Sequence, residues 1–299
     1  MNRTVVISGG GTGIGLAAAH SFARMGDRLV LVGRRRDVLE RAAAELPDGV
    51  ACPADLTEPA GARAVAELVR ERFGTVDVLV HSAGGNSALH PRAPTALASP
   101  ADVPPTGVPP ADASSSHGPF PDRSDPDTRS AATAGAGPNP SEGDARDGLA
   151  RIAATWTADF RTNTLSAVLL TEALRDRLAS PGGRVLFVSS VAAYRGSGSA
   201  AYGAAKAALH PYAHALAAEL GPRGVTVNVV APGLVGETDF FGDHGMTEEN
   251  RRARVAETLN GRAGTPGDVA ETLRWLASPA AGHVTSQVVQ VNGGAQRGS

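Results

Sequence analysis

The chain has one cysteine in 299 residues, Cys52, so it has no partner for an internal disulfide and fits a reducing compartment. No stretch of eighteen apolar residues occurs, which excludes a helical membrane span. Met1 leads straight into the strand-like Val5-Val6-Ile7 without a basic or apolar leader, so a cytoplasmic location is expected. Excess charge of either sign is also missing. A net charge of −2 offers no electrostatic reason to expect nucleic acid or an anionic membrane as partner. Lysine is almost absent: of 28 basic residues only Lys206 is not arginine.

What is present alternates. Short β-branched runs at 4–8, 28–33, 49–54, 76–82, 184–190, 225–231 and 286–292 are continuously apolar, as in strands covered on both faces. Helical patterns lie between them at 14–25, 36–46, 59–73, 150–179, 199–220 and 267–277. The expected fold is α/β, a doubly wound (Rossmann-type) parallel sheet of about seven strands with right-handed crossovers. Its ligands would bind at the carboxyl ends of the strands. Residues 85–148 interrupt the pattern with 12 of the 21 prolines and a single aromatic, Phe120. They read as a Pro/Ala/Ser/Gly-rich insertion, either disordered or a lid, in one catalytic domain made of 1–84 and 149–299.

Two constellations carry chemistry. Residues 8–15, SGGGTGIG, join the first strand to the first helix, where glycines allow close backbone approach and the helix N-terminus presents amides to a pyrophosphate. Where the second strand ends, an acidic residue would select NAD(H). This chain has Gly33 followed by Arg34, Arg35 and Arg36, which favours NADP(H) over NAD(H), although Asp37 could neutralise one guanidinium. Asp55, at the end of the third strand, is placed to accept from an adenine amino group. The second constellation is Tyr202 with Lys206, four apart on one helical face, and Ser190 at the end of the preceding strand. A phenol with pKa ~10 needs a nearby cation to work near neutrality, and Lys206 is expected to supply it.

These motifs, together with Asp55-Leu56, HSAG (81–84), Asn163, VSS (188–190), YGAAK (202–206), APG (231–233) and the 262–294 tail, resemble the classical short-chain dehydrogenases/reductases (SDR family) over nearly the whole chain outside 85–148. The resemblance implies catalytic roles for Ser190, Tyr202, Lys206 and Asn163. It places the cofactor against Gly9, Gly13, Ile14, Gly15, Asp55, Leu56, Ala83, Gly84, Tyr202, Lys206, Pro232, Gly233 and Thr238, with Arg34 and Arg35 at the ribose. It also implies a small-molecule carbonyl or alcohol substrate, no metal, and a homodimer or homotetramer. The expected function is NADPH-dependent reduction of a ketone to a secondary alcohol, or the reverse. The Arg-rich composition suggests a GC-rich bacterial genome and, with it, specialised metabolism. The alternatives are a 3-oxoacyl-thioester (acyl carrier protein) reductase and, in another class, a nonenzymatic NADP(H)-binding sensor or scaffold.

The chain departs from the family pattern in several places. His81-Ser82 stands where Asn-Asn is usual, Thr12 where a second basic residue is common, and Ser189 is an alternative to Ser190. Thr238 lies one place late, and 79 residues separate Gly84 from Asn163. His210 and His214 have the spacing of a helical metal pair but read as surface or interface residues. His81 reads as a packed structural histidine and Trp156 as core or interface filler. Pro211 predicts a kink in the catalytic helix. Residues 234–261 read either as a segment closing over substrate or as a plain surface helix pair.

Overall fold

The β-branched runs form seven parallel strands: β1 (Thr4–Ser8), β2 (Arg28–Gly33), β3 (Gly49–Pro53), β4 (Val78–His81), β5 (Arg184–Val188), β6 (Thr226–Pro232) and β7 (Val288–Val291). They lie in the order β3-β2-β1-β4-β5-β6-β7, every neighbouring pair parallel. This computed structural model describes residues 2–87, 142–195, 199–241 and 246–298. Contacts divide the chain into two compact units, one of 1–92 with 152–299 and one of 93–151. Of the second, only 142–151 is described, and it is helical.

Alternation along each strand sends neighbouring side chains to opposite faces. Val5, Ile7, Leu29 and Leu31 join a core under α1 (Gly13–Ala23), α2 (Arg36–Ala44) and α10 (Pro266–Leu276). Val6, Val30 and Val32 join the opposite core, under α3 (Pro59–Arg72), α5 (Ser166–Leu174) and α8 (Leu209–Leu220). Burial on both faces is why the strands read as unbroken apolar runs. Fully buried side chains such as Leu170 and Leu186 hold the layers together, and truncating either to alanine costs about 2–5 kcal/mol.

The helices differ from the sequence expectation in three places. The pattern at 150–179 is not one helix but α4 (Glu142–Phe160), a π-helical turn over Arg161–Leu165, and α5. Hydrophobic periodicity does not register a single widened turn, and such turns concentrate at functional sites. The expected catalytic helix 199–220 is α7 (Ala200–Ala207) and α8, broken at Ala208. Pro211 thereby falls in the first turn of α8, where no intrahelical donor is missed. Short helix α6 (Ala192–Arg195) has no counterpart in the sequence pattern, and of the surface helix pair that is one reading of 234–261 the described residues show α9 (Glu248–Ala256). The insertion expected at 85–148 lies mostly outside the described residues; its end, 142–148, opens α4. Residues 242–245, within the segment read as closing over substrate, are also outside them.

Candidate active site

Strand order reverses between β1 and β4, and the loops leaving these two strands part there to form a crevice. Gly9, with φ +69°, has no room for a side chain: a Cβ would lie 2.8 Å from the Ala83 backbone. At Gly15 a Cβ would collide with the Gly9 carbonyl oxygen. The loop is pinned by Gly9 N–H donating to Val32 O (2.8 Å) and Ala83 N–H donating to Ser8 Oγ (3.2 Å). What remains at the start of α1 is a backbone cradle of the kind that suits a pyrophosphate.

Gly9, Arg34, Arg35, Asp55, Leu56, Ala83 and Gly84 line one cleft. Asp37 pairs with Arg41 and Arg36 with Glu40, each at 3.4 Å. Asp55 Oδ1 accepts from the Thr57 amide (3.0 Å) and hydroxyl (2.7 Å), which fixes the turn after β3. Gly13 lies beside Thr238, whose Cγ2 would be 3.5 Å from a Gly13 Cβ. Ile14 packs half-buried against the core under α1, and Pro232 ends β6 with Gly233 following. The Gly233 amide donates to Val291 O (3.0 Å).

Ser190, Tyr202, Lys206 and Asn163 gather beyond Gly84, one of the residues lining this cleft. Ser199 caps α7 by accepting from the Tyr202 amide (3.4 Å), which sets Tyr202 and Lys206 on one face. Lys206 Nζ donates to Val188 O (2.9 Å). Both Lys206 Nζ and Asn163 Oδ1 lie 2.7 Å from where a Gly84 Cβ would sit. Asn163, in the π turn, clamps the β4 loop: Gly85 N–H donates to its Oδ1 (3.1 Å) and its Nδ2 donates to Gly85 O (2.8 Å). Thr164 Oγ1, donating to Ala205 O (2.8 Å), ties that turn to α7.

Burial pushes the Tyr202 phenol up to about 12; its hydrogen bond with Ser190 pulls the other way and the charge of Asp159 adds to the rise. Burial draws the Lys206 ammonium down to about 8, opposed by the same Asp159. The Lys206 ammonium is held by Val188 O, 6.0 Å from the Tyr202 ring centroid. Ser189 is turned elsewhere, to Lys206 O (3.1 Å) and His210 Nε2 (2.8 Å).

Several other residues find different settings. His214 Nδ1 meets Ser286 Oγ (2.8 Å), and among the described residues no three His, Cys, Asp or Glu side chains group to hold a metal ion. His81 is packed inside, stacked on Phe187 at 4.7 Å. Trp156 is not core: it is 41% exposed and stacks on Phe160 at 6.3 Å. Phe240, in the 234–261 segment, packs on the Tyr202 ring at 5.4 Å, and one further neighbour had no reading from the sequence. Asp159 is 1% exposed, one helical turn before Asn163, and the i, i+4 relation was the available signal.

A parallel sheet with its crevice at the switch point defines a nucleotide-binding α/β protein. Residues 132–296 match the family described as enoyl-(acyl carrier protein) reductase, and residues 3–103 match short chain dehydrogenase. The 3-oxoacyl-[acyl-carrier-protein] reductase FabG of Escherichia coli is 26% identical over 98% of this chain and 96% of that protein. The FabG of Vibrio cholerae is 39% identical, over 46% of this chain and 57% of that protein. Carbonyl reductase family member 4 of Danio rerio is 28% identical over 99% of both. Among solved structures, a short-chain dehydrogenase/reductase (glucose/ribitol dehydrogenase) from Brucella melitensis superposes with a TM-score of 0.72 at 28% identity, covering 99% of this chain and 98% of that one. The chain belongs to the short-chain dehydrogenase/reductase family and is an oxidoreductase of the CH–OH/C=O class.

Proposed function

We propose that the protein is an NADPH-dependent reductase that converts a ketone to a secondary alcohol. The observation that carries this reading is the gathering of Ser190, Tyr202, Lys206 and Asn163 beyond Gly84, which also lines the cleft that holds Arg34 and Arg35. The glycine cradle fits a pyrophosphate, since at Gly9 and Gly15 the backbone leaves no space for a side chain. Arg34 and Arg35 would take a 2′-phosphate through charge and fork geometry, Asp55 and Leu56 the adenine, and Pro232, Gly233 and Thr238 the nicotinamide. When bound, the cofactor supplies the hydride.

The chain's own residues handle the proton. Tyr202, a buried phenol that carries its proton at neutral pH, would donate it to a carbonyl oxygen as negative charge develops there. Ser190 orients that oxygen by hydrogen bonding. Lys206 holds the cofactor ribose and stabilises the phenolate left behind, and Asn163 keeps the β4 loop and the π turn in register with them. Phe240 on the Tyr202 ring offers an apolar wall to the substrate. The names of the FabG relatives favour a 3-oxoacyl thioester as one substrate to include. The exposed face formed by Trp156, Phe160 and Leu165 suits a homo-oligomer, because a subunit of this fold gains by removing three large apolar side chains from water.

The test is oxidation of NADPH and NADH by wild type and Tyr202→Phe with aromatic ketones, quinones and 3-oxoacyl thioesters. Turnover with NADPH in preference to NADH is expected, falling at least about 100-fold in the variant while cofactor binding is kept. Undiminished turnover in Tyr202→Phe overturns the mechanism, and a preference for NADH overturns the cofactor reading.

A further inference from the structure

The loop leaving β4 is laced rung by rung to α4 and the π turn that follows it, at three positions four residues apart. Ser87 Oγ donates to Thr155 O (3.2 Å), Ser87 N–H to Asp159 Oδ1 (2.8 Å), and Gly85 N–H to Asn163 Oδ1 (3.1 Å). Two of these rungs are ordinary loop docking. The middle one places a carboxylate, 1% exposed, inside a site whose proton-transfer chemistry does not use it.

Asp159 is only half satisfied. Its Oδ2 is buried and has no hydrogen-bond partner. A carboxylate oxygen cut off from water in this way is costly unless an opposite charge answers it. The buried cation at hand is Lys206, 4% exposed, an ammonium with three donors held through Val188 O. Both approach the Gly84–Ser87 loop, Lys206 at Gly84 and Asp159 at Ser87, with Asn163 between them. The field of Asp159 reaches both Lys206 and Tyr202 and favours the protonated form of each. Among the described residues, the other groups facing them carry no charge: Ser190 and the Val188 carbonyl after and within β5, Asn163 in the π turn, Gly84 after β4, and Phe240 after β6. His210, one turn further along, faces Ser189 and the Tyr194 ring.

We infer that Asp159 is a positioning residue of this site: a buried counter-charge that keeps Lys206 an ammonium and Tyr202 a phenol, so that the resting site is set to give a proton to a carbonyl oxygen. The direction of that bias rests on the reductase reading; the electrostatic influence of Asp159 on Lys206 does not. An uncharged residue here would leave the β4 loop docked through Asn163 and Thr155, yet the proton would be held less firmly.

The single lysine makes this measurable without substrate. Lysine labelled with carbon-13 at Cε yields one resonance from the full-length protein, and its pH titration reads Lys206 alone. Asp159→Asn keeps an acceptor for the Ser87 amide and removes the charge, and its midpoint should fall by about one pH unit below wild type. Asp159→Ser, a second neutral variant that guards against an unstable Asn variant, should fall likewise. Asp159→Glu should return the midpoint towards wild type. The pH at which ketone reduction fades should move down in step in the neutral variants, a shift that mere loosening of the loop does not produce. A Lys206 midpoint unchanged in both neutral variants overturns the inference, whatever the kinetics show. A wild type that reduces no carbonyl overturns the reductase reading instead, and the lysine titration still decides whether Asp159 acts on Lys206.

Discussion

Acidification from about pH 7.5 to about pH 5 should destabilise the wild-type fold more than it destabilises a His81→Gln variant, because His81 is buried in its neutral form. Burial lowers this imidazole to about 3 from its ordinary 6.5. The ring stacks on Phe187 at 4.7 Å, Nε2 meets Thr171 Oγ1 at 2.8 Å, and Nδ1 is buried without a partner. Above pH 6.5 neither the folded nor the unfolded chain protonates this group, so the fold keeps its full stability. Below 6.5 the unfolded chain takes up a proton that the folded chain refuses, and stability is lost at about 1.4 kcal/mol per pH unit until the folded value is reached. Between 6.5 and about pH 5 that is about 2 kcal/mol from one residue. Glutamine can keep a bond to Thr171 but does not titrate, so it loses the stacking at every pH and the proton penalty at none. The assay is urea unfolding of both proteins at the two pH values and at one protein concentration, compared as a difference of differences. Carboxylates and the other histidines are common to both proteins and cancel. If wild type and variant lose the same stability on acidification, the buried neutral histidine is refuted.

Other expectations follow from the same geometry. Gly15→Ala should weaken NADPH binding more than about 10-fold in a fluorescence titration, since a Cβ there collides with the Gly9 carbonyl and must open the cradle; unchanged affinity would refute the close approach. Trp156→Arg should shift sedimentation towards smaller species while leaving secondary structure intact, because the stacked Trp156–Phe160 pair is exposed; an unchanged sedimentation coefficient would remove this face from the assembly. Arg34→Ala with Arg35→Ala should raise the KM for NADPH about 10-fold or more with little effect on NADH, and equal effects on both cofactors would sink the phosphate assignment.

Strand positions, sheet type and the crevice at the first strand–helix junction were legible in the sequence because they depend on periodicity and on glycine spacing, both local properties. The residues expected at the site came from the same source: Ser190, Tyr202 and Lys206 stand at spacings that a strand end and a helix face translate directly into proximity. Lone Lys206 stood out by composition alone. The tertiary structure decided what spacing cannot express. Whether Asp159 is a solvated helix residue or a buried charge depends on the β4 loop closing over it, and that loop is contributed by residues more than seventy positions away. The burial of the Tyr202 phenol, which raises its pKa, likewise follows from packing and not from spacing. The π turn at Asn163, the aromatic contact of Phe240 and the stack of His81 on Phe187 are all decided by packing between distant segments. Local pattern therefore determined which residues could do chemistry here, and desolvation, which only a closed tertiary structure imposes, decided how strongly each of them holds its proton.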